Sequence, residues 1–170
     1  MEKFHFDEFS DKDKEKIYEK ASDERKQKDF YEKLRQRVTD YISEHPKAKH
    51  INYIMMFPDF FHLTCKLFGD SPVPTKNKLY LGCAIAYCIS PIDIIPDLIP
   101  GGFTDDALLI IKTLSDLINS VDNEIICEHW LGEENIIKVI NDLTEIASEF
   151  LSKDKIVNKM SAFVDSLKNR

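Results

Sequence analysis

The stretch from residue 79 to residue 121 limits most sharply what this chain can fold into. It reads LYLGCAIAYCIS, then PIDIIPDLIPGGFTDD, then ALLIIKTLSDLINSV. An apolar run enters a turn rich in proline and aspartate, and a second apolar run leaves it. Asp93, Asp97, Asp105 and Asp106 fall within fourteen largely apolar residues. The first run is apolar nearly all round (Leu79, Leu81, Ala84, Ile85, Ala86, Ile89), which marks a buried central helix. As a bilayer span it is too broken. About twelve residues run clean before Asp93, Asp97 and three prolines intervene, whereas a span needs around 20. A re-entrant or interfacial hairpin remains as the membrane alternative.

Bulk properties fit one soluble domain. The 170 residues are 43% hydrophobic and 31% charged, enough for one core and short for two. Five glycines and few alternating β-branched runs favour helices. The net charge of −7 is uneven: residues 1–50 carry 13 basic and 13 acidic side chains, residues 51–120 carry 4 and 7, and residues 121–170 carry 6 and 10. No region is basic enough to track a phosphate backbone, so nucleic acid is not an expected partner. Cys65, Cys83, Cys88 and Cys127 show no C-x-x-C spacing and read as free, buried thiols. The charged opening MEKFHFDEFSDKDKEK has no apolar signal-peptide core, which predicts a cytoplasmic location, or one peripheral to a membrane if a partner brings the protein there.

Along the chain, residues 1–16 lack periodicity and read as a charged arm in which Phe4, Phe6 and Phe9 are docking candidates. From residue 17 to 42 the spacing of Phe30, Tyr31, Leu34, Val38, Tyr41 and Ile42 predicts an amphipathic helix, exposed or broken around 22–29. Pro58-Asp59 opens a short helix that Gly69 caps. Thr75 is the expected N-cap of a helix over 76–89, and Thr104 that of a helix over 105–121. Residues 122–132 form a connection with some helical character, with Trp130 as the anchor to the core. Further helices are expected over 133–151 and 156–167. The expected fold is all-α: a single-domain bundle of about six helices organised around a Pro/Asp-rich helical hairpin. Residues 1–50 form its charged arm and amphipathic helix, and residues 51–170 its helical domain.

The aspartate turn supports two readings. In the structural one, Ser90-Pro91-Ile92-Asp93 is a helix start, with serine as N-cap, proline at the first helical position and an acid two residues on. Asp105 and Asp106 then sit in a first helical turn, where a carboxylate gains roughly 0.3–1 kcal/mol from the helix dipole. In the functional one, carboxylates among Ile92, Ile94, Ile95, Leu98, Ile99 and Phe103 need neutralisation, pairing or a cation. A reversal at Gly101-Gly102 that brings Asp105 and Asp106 toward Asp93 and Asp97 makes an oxygen-ligand site for Mg²⁺, Mn²⁺ or Ca²⁺. Lys76 and Lys78 are the nearest cations in sequence that could pair with the acids instead. No histidine or cysteine accompanies the acids, which argues against zinc.

Other chemistry is thin. His5, His45, His50, His62 and His129 are scattered, and Glu128-His129 reads as a packed or surface pair. No nucleophile elbow, phosphate loop or dinucleotide fingerprint is present.

The run YCISPIDIIPDLIPGGFTDDALLI resembles the YkvA-like family, a small prokaryotic domain of unknown function. Tyr87, Ser90, Pro91, Asp93, Pro96, Asp97, Pro100, Gly102, Asp105 and Asp106 stand where that family's motif has them, and LFGDSPVPTKNK resembles its lead-in. The likeness covers about residues 58–118. Gly101 and Thr104 stand where the family usually has apolar residues. The resemblance implies a helical fold and no defined activity. Some members are described as membrane-associated, because the apolar run scores as a span.

The expectation is therefore a helical module, more an interaction or scaffold protein than an enzyme, with the charged helix over 17–45 as the surface for a protein partner or for self-association. Two alternatives stand beside it. One is a divalent-cation-binding protein or metal-dependent hydrolase using Asp93, Asp97, Asp105 and Asp106. The other is peripheral membrane association, against which the low basic charge argues.

Overall fold

One helix, α5 (Thr75–Ile89), is buried on two opposite sides, with segments from both ends of the chain packed against it. Its residues 79, 83 and 86 follow one helical face and 81, 85 and 88 another, each with steps of four and three. Leu79, Cys83 and Ala86 join a core with Ile17, Leu109, Phe163 and Leu167. Leu81, Ile85 and Cys88 join the larger core, with Phe60, Phe61, Leu67, Leu108 and Leu114. A helix apolar on nearly every side can be satisfied only in this way, and its central placement is as the sequence predicts.

The computed structural model describes residues 10–90, 98–99, 103–148, 162–163 and 165–167. Their helices are α1 (Asp11–Ala21), α2 (Glu24–Glu44), α3 (Ile51–Met55), α4 (Phe57–Phe68), α5, α6 (Asp105–Ile118), α7 (Asn123–His129) and α8 (Ile136–Ser148). Residues 162–163 and 165–167 are also helical. Leu98–Ile99 (β1) and Phe103–Thr104 (β2) form a two-residue antiparallel ladder, Leu98 opposite Thr104 and Ile99 opposite Phe103. The fold is an all-α bundle. None of the described helices is long and apolar enough to cross a membrane.

The helices outnumber six because the expected helix from residue 17 is split in two and short helices stand at Ile51–Met55 and Asn123–His129. Residues 1–16 are not an arm throughout: α1 starts at Asp11, where Ser10 accepts a hydrogen bond from the Asp13 amide. Phe4, Phe6 and Phe9 lie outside the described residues. The expected helix from residue 17 is broken at Ser22-Asp23. The Ser22 hydroxyl donates to the Tyr18 carbonyl at 2.6 Å, and Asp23 accepts from the Lys26 amide at 3.1 Å to start α2 afresh. Residues 122–132, expected as a connection with some helical character, contain α7, which Asp122 caps through the Glu124 amide.

Other boundaries shift for similar reasons. Helix α5 starts at Thr75 with Pro74 as its N-cap and no side-chain cap, so Thr75 is the first helical residue and not the cap. Helix α6 ends at Ile118 and not at residue 121. Asn135 Oδ1 accepts from the Lys138 amide at 3.2 Å, so α8 begins after it and not at residue 133. Gly69 is the C-cap of α4, as expected. Of the last predicted helix, residues 156–161 lie outside the described residues. Phe163 packs edge-on to Tyr87, with ring centroids 5.5 Å apart.

Helix α1 reaches α5 at Gly82. A Cβ there would lie 2.9 Å from the Phe68 ring and 3.4 Å from Ile17 Cγ2. Phe68 in turn stacks on Tyr18 at 5.6 Å. Glycine is required here by close approach, since three elements meet at one point. Gly82→Val is therefore expected to lower the unfolding free energy by about 1–3 kcal/mol through overpacking, read as a shift in the urea midpoint at unchanged slope. An unchanged midpoint would show that α1 does not pack on α5 at this residue.

Candidate functional site

The aspartate turn occupies the junction between α5 and α6. Helix α5 ends with Ser90 as its C-cap, in extended conformation. Asp93 and Asp97 lie outside the described residues. Asp105 and Asp106 are the first two residues of α6, directly after β2. Their backbone position is the one in which an acid meets the positive end of the helix dipole. Leu98–Ile99 and Phe103–Thr104 pair antiparallel, and Gly101 and Gly102, where the reversal is expected, lie outside the described residues. Helix α6 packs against α4, α5 and α8. Lys76 and Lys78 lie on the first turn of α5. Among the described residues no three histidine, cysteine or acidic side chains are grouped so as to hold a metal ion.

A second polar constellation lies elsewhere. Asp70 follows the C-cap of α4, and His129 is the last residue of α7. His129 Nε2 and Asp70 Oδ2 are 2.7 Å apart, joining segments 59 residues distant in sequence. Both side chains are about three-quarters buried, at 26% and 20% exposure, so the pair is shielded more than a surface ion pair. Next in the chain, Trp130 stacks on Phe60 of α4 with centroids 5.6 Å apart, the anchoring expected of it. Its indole N–H is buried and has no acceptor among the described residues. Nearby on α4, burial and the charge of Lys66 push the His62 pKa down, opposed by Asp59, so its neutral form is favoured. Sequence reading missed the His129–Asp70 pair. Its only local signals are a basic residue in the last turn of a seven-residue helix and an acid after a glycine cap.

The thiols differ from the expectation in one case. Cys83 and Cys88 are buried and Cys65 half-buried, whereas Cys127 is exposed on the outer side of the short helix α7. Burial pushes the Cys65 thiol up to about 12 and raises that of Cys83 further, which removes the thiolate that nucleophilic chemistry needs. A cavity of about 10 Å³, lined by Leu34, Phe57, Phe60, Ala107 and Ile110, has room for roughly one water and only apolar walls.

Residues 77–111 match the family described as a protein of unknown function (DUF1232). The matched segment holds most of α5, the aspartate turn and the first half of α6, and the YkvA-like resemblance is consistent with it. The chain is also 23% identical over 116 residues, 66% of its length and 80% of the relative's, to "Uncharacterized protein ORF9" of Methanothermobacter thermautotrophicus. No solved structure matches. The protein is thus a helical module related to a domain of unknown function.

The thiol environments give a direct check. At pH 8 a disulfide reagent in excess is expected to label Cys127 fast and Cys65, Cys83 and Cys88 only after denaturant is added. Fast labelling of two or more thiols in the native protein would contradict the burial described.

Proposed function

We propose that the protein acts by binding a protein partner or a second copy of itself, and that α2 supplies the surface. The observation that supports this is the division of labour on α2. It is a 21-residue helix, about 31 Å long, yet only Leu34 and Val38 are fully buried. Phe30, Tyr31, Tyr41 and Ile42 are partly buried and pack against the protein's own core, with Phe30 against Phe61 at 4.7 Å. The aromatic stripe is therefore spent inside the molecule. What remains outward is a mixed-sign face: Arg25, Lys26, Lys28, Lys33, Arg35 and Arg37 with Glu24, Asp29, Glu32, Asp40 and Glu44 are exposed. Charge patterns of this kind set partner choice and register more than raw affinity.

The expected outcome is a mass that rises with concentration, alone or with the partner, in light scattering coupled to gel filtration. Lys33→Glu with Arg37→Glu should abolish that rise, and high salt should weaken it in the wild type. A mass that is the same in wild type and variant at every concentration and with every partner would contradict the proposal.

A second reading, divalent-cation binding at the aspartate turn, is supported by the β1–β2 ladder. Asp97 precedes the paired residue Leu98, and Asp105 follows its partner Thr104, so each acid is one peptide away from the same backbone pair. Asp93, Asp97, Asp105 and Asp106 would supply the oxygens, and Mg²⁺, Mn²⁺ or Ca²⁺ the charge that lets them stay ionised together. A cation at 100 times its dissociation constant should add about 2.7 kcal/mol to the stability of the wild type and nothing to that of Asp106→Asn. Equal melts in chelator and in each cation would dismiss this reading.

A further inference from the structure

The connection from Trp130 to Asn135, between α7 and α8, carries one stacking contact to α4 and one unsatisfied group. His129 holds Asp70 just before the connection begins. Trp130 lies flat on Phe60, 22° from parallel, and Phe60 is itself almost wholly buried. The indole N–H in this closed position is cut off from water without an acceptor among the described residues, which disfavours closure relative to a state in which water reaches it. Gly132 lets the chain fold over the indole: a Cβ there would lie 2.7 Å from Trp130 Nε1 and would run into Glu134 Oε2. The next residue after the tryptophan, Leu131, is 74% exposed, and every residue from 131 to 135 is exposed, so little besides the tryptophan ties the connection down.

We propose that this connection is a strap that opens locally, with the His129–Asp70 pair as its latch. The closed state sums a stack and the His129–Asp70 hydrogen bond, which favour it, against an orphaned donor that does not. Removing that hydrogen bond tips the balance, because Trp130 is the residue next to His129 and follows the end of α7. Opening frees the indole N–H and uncovers one side of Phe60 in the larger core, while the packing around α5 stays in place. The strap is thus a low-stability unit on a stable body, the kind of element that can move without unfolding. It is separate from the charged face of α2, and its failure would leave that reading untouched.

The single tryptophan makes the test direct, since its indole proton gives one signal. Exchange of that proton with deuterium is followed by NMR in urea concentrations below the unfolding transition. In the wild type the strap should give a rate nearly independent of urea, at least about tenfold faster than that of the slowest core amides. His129→Gln and Asp70→Asn should each raise it by about tenfold more, with the core amides of α5 unchanged. A wild-type rate that climbs with urea at the slope of global unfolding would overturn the proposal, because the indole would then be released only with the whole fold. Two variants that exchange like the wild type would overturn the latch.

Discussion

Burial of both faces of α5 is the constraint on which the rest of the structure depends. A fifteen-residue helix with eight buried positions cannot lie on a surface. It demands neighbours on opposite sides, and the chain supplies them from its two halves. On one side stand α1 and the helical residues near 163, which bring Ile17, Phe163 and Leu167 together. On the other stand α4 and α6 with their phenylalanines and leucines. The Lys16 ammonium donates to the Leu167 carbonyl at 3.3 Å, so segments 151 residues apart in sequence meet beside the same helix. Two buried threonines fit this apolar setting because each hydroxyl donates back to a carbonyl of its own helix, Thr64 to Phe60 and Thr113 to Leu109.

Much of this was legible in the sequence, and the reason is periodicity. The apolar runs of α4, α5, α6 and α8 are long and dense enough to announce helices and their buried sides. The first half of α1, residues 11–16, was not legible, because only Ile17 and Ala21 of the helix's eleven residues are deeply buried apolar positions, set in alternating lysine and acid. Its place follows from Gly82, and a glycine in a helix does not say which neighbour needs the space. The break at Ser22-Asp23 was half visible as a lapse in the stripe, but the hydrogen bonds that make it are set by two side chains no pattern singles out.

The candidate sites divide along the same line. The aspartate turn was visible because it is local: four acids in fourteen residues, with prolines and glycines that mark a reversal. The structure adds that β1 and β2 clamp this reversal and that α6 begins at Asp105. The His129–Asp70 pair was invisible because its partners come from different helices and carry no spacing that a single sequence reveals. Both features sit at ends of helices that touch α4 or α5.

The most direct test of this account is hydrogen exchange by mass spectrometry, compared helix by helix. Amides of α5 between Leu81 and Ala86 should exchange only with global unfolding and be the slowest in the protein, since packing shields them on both sides. Amides of α2 and α7 should exchange sooner. If α5 exchanges as fast as α2, it is not the buried centre, and an account that builds both cores upon it is wrong.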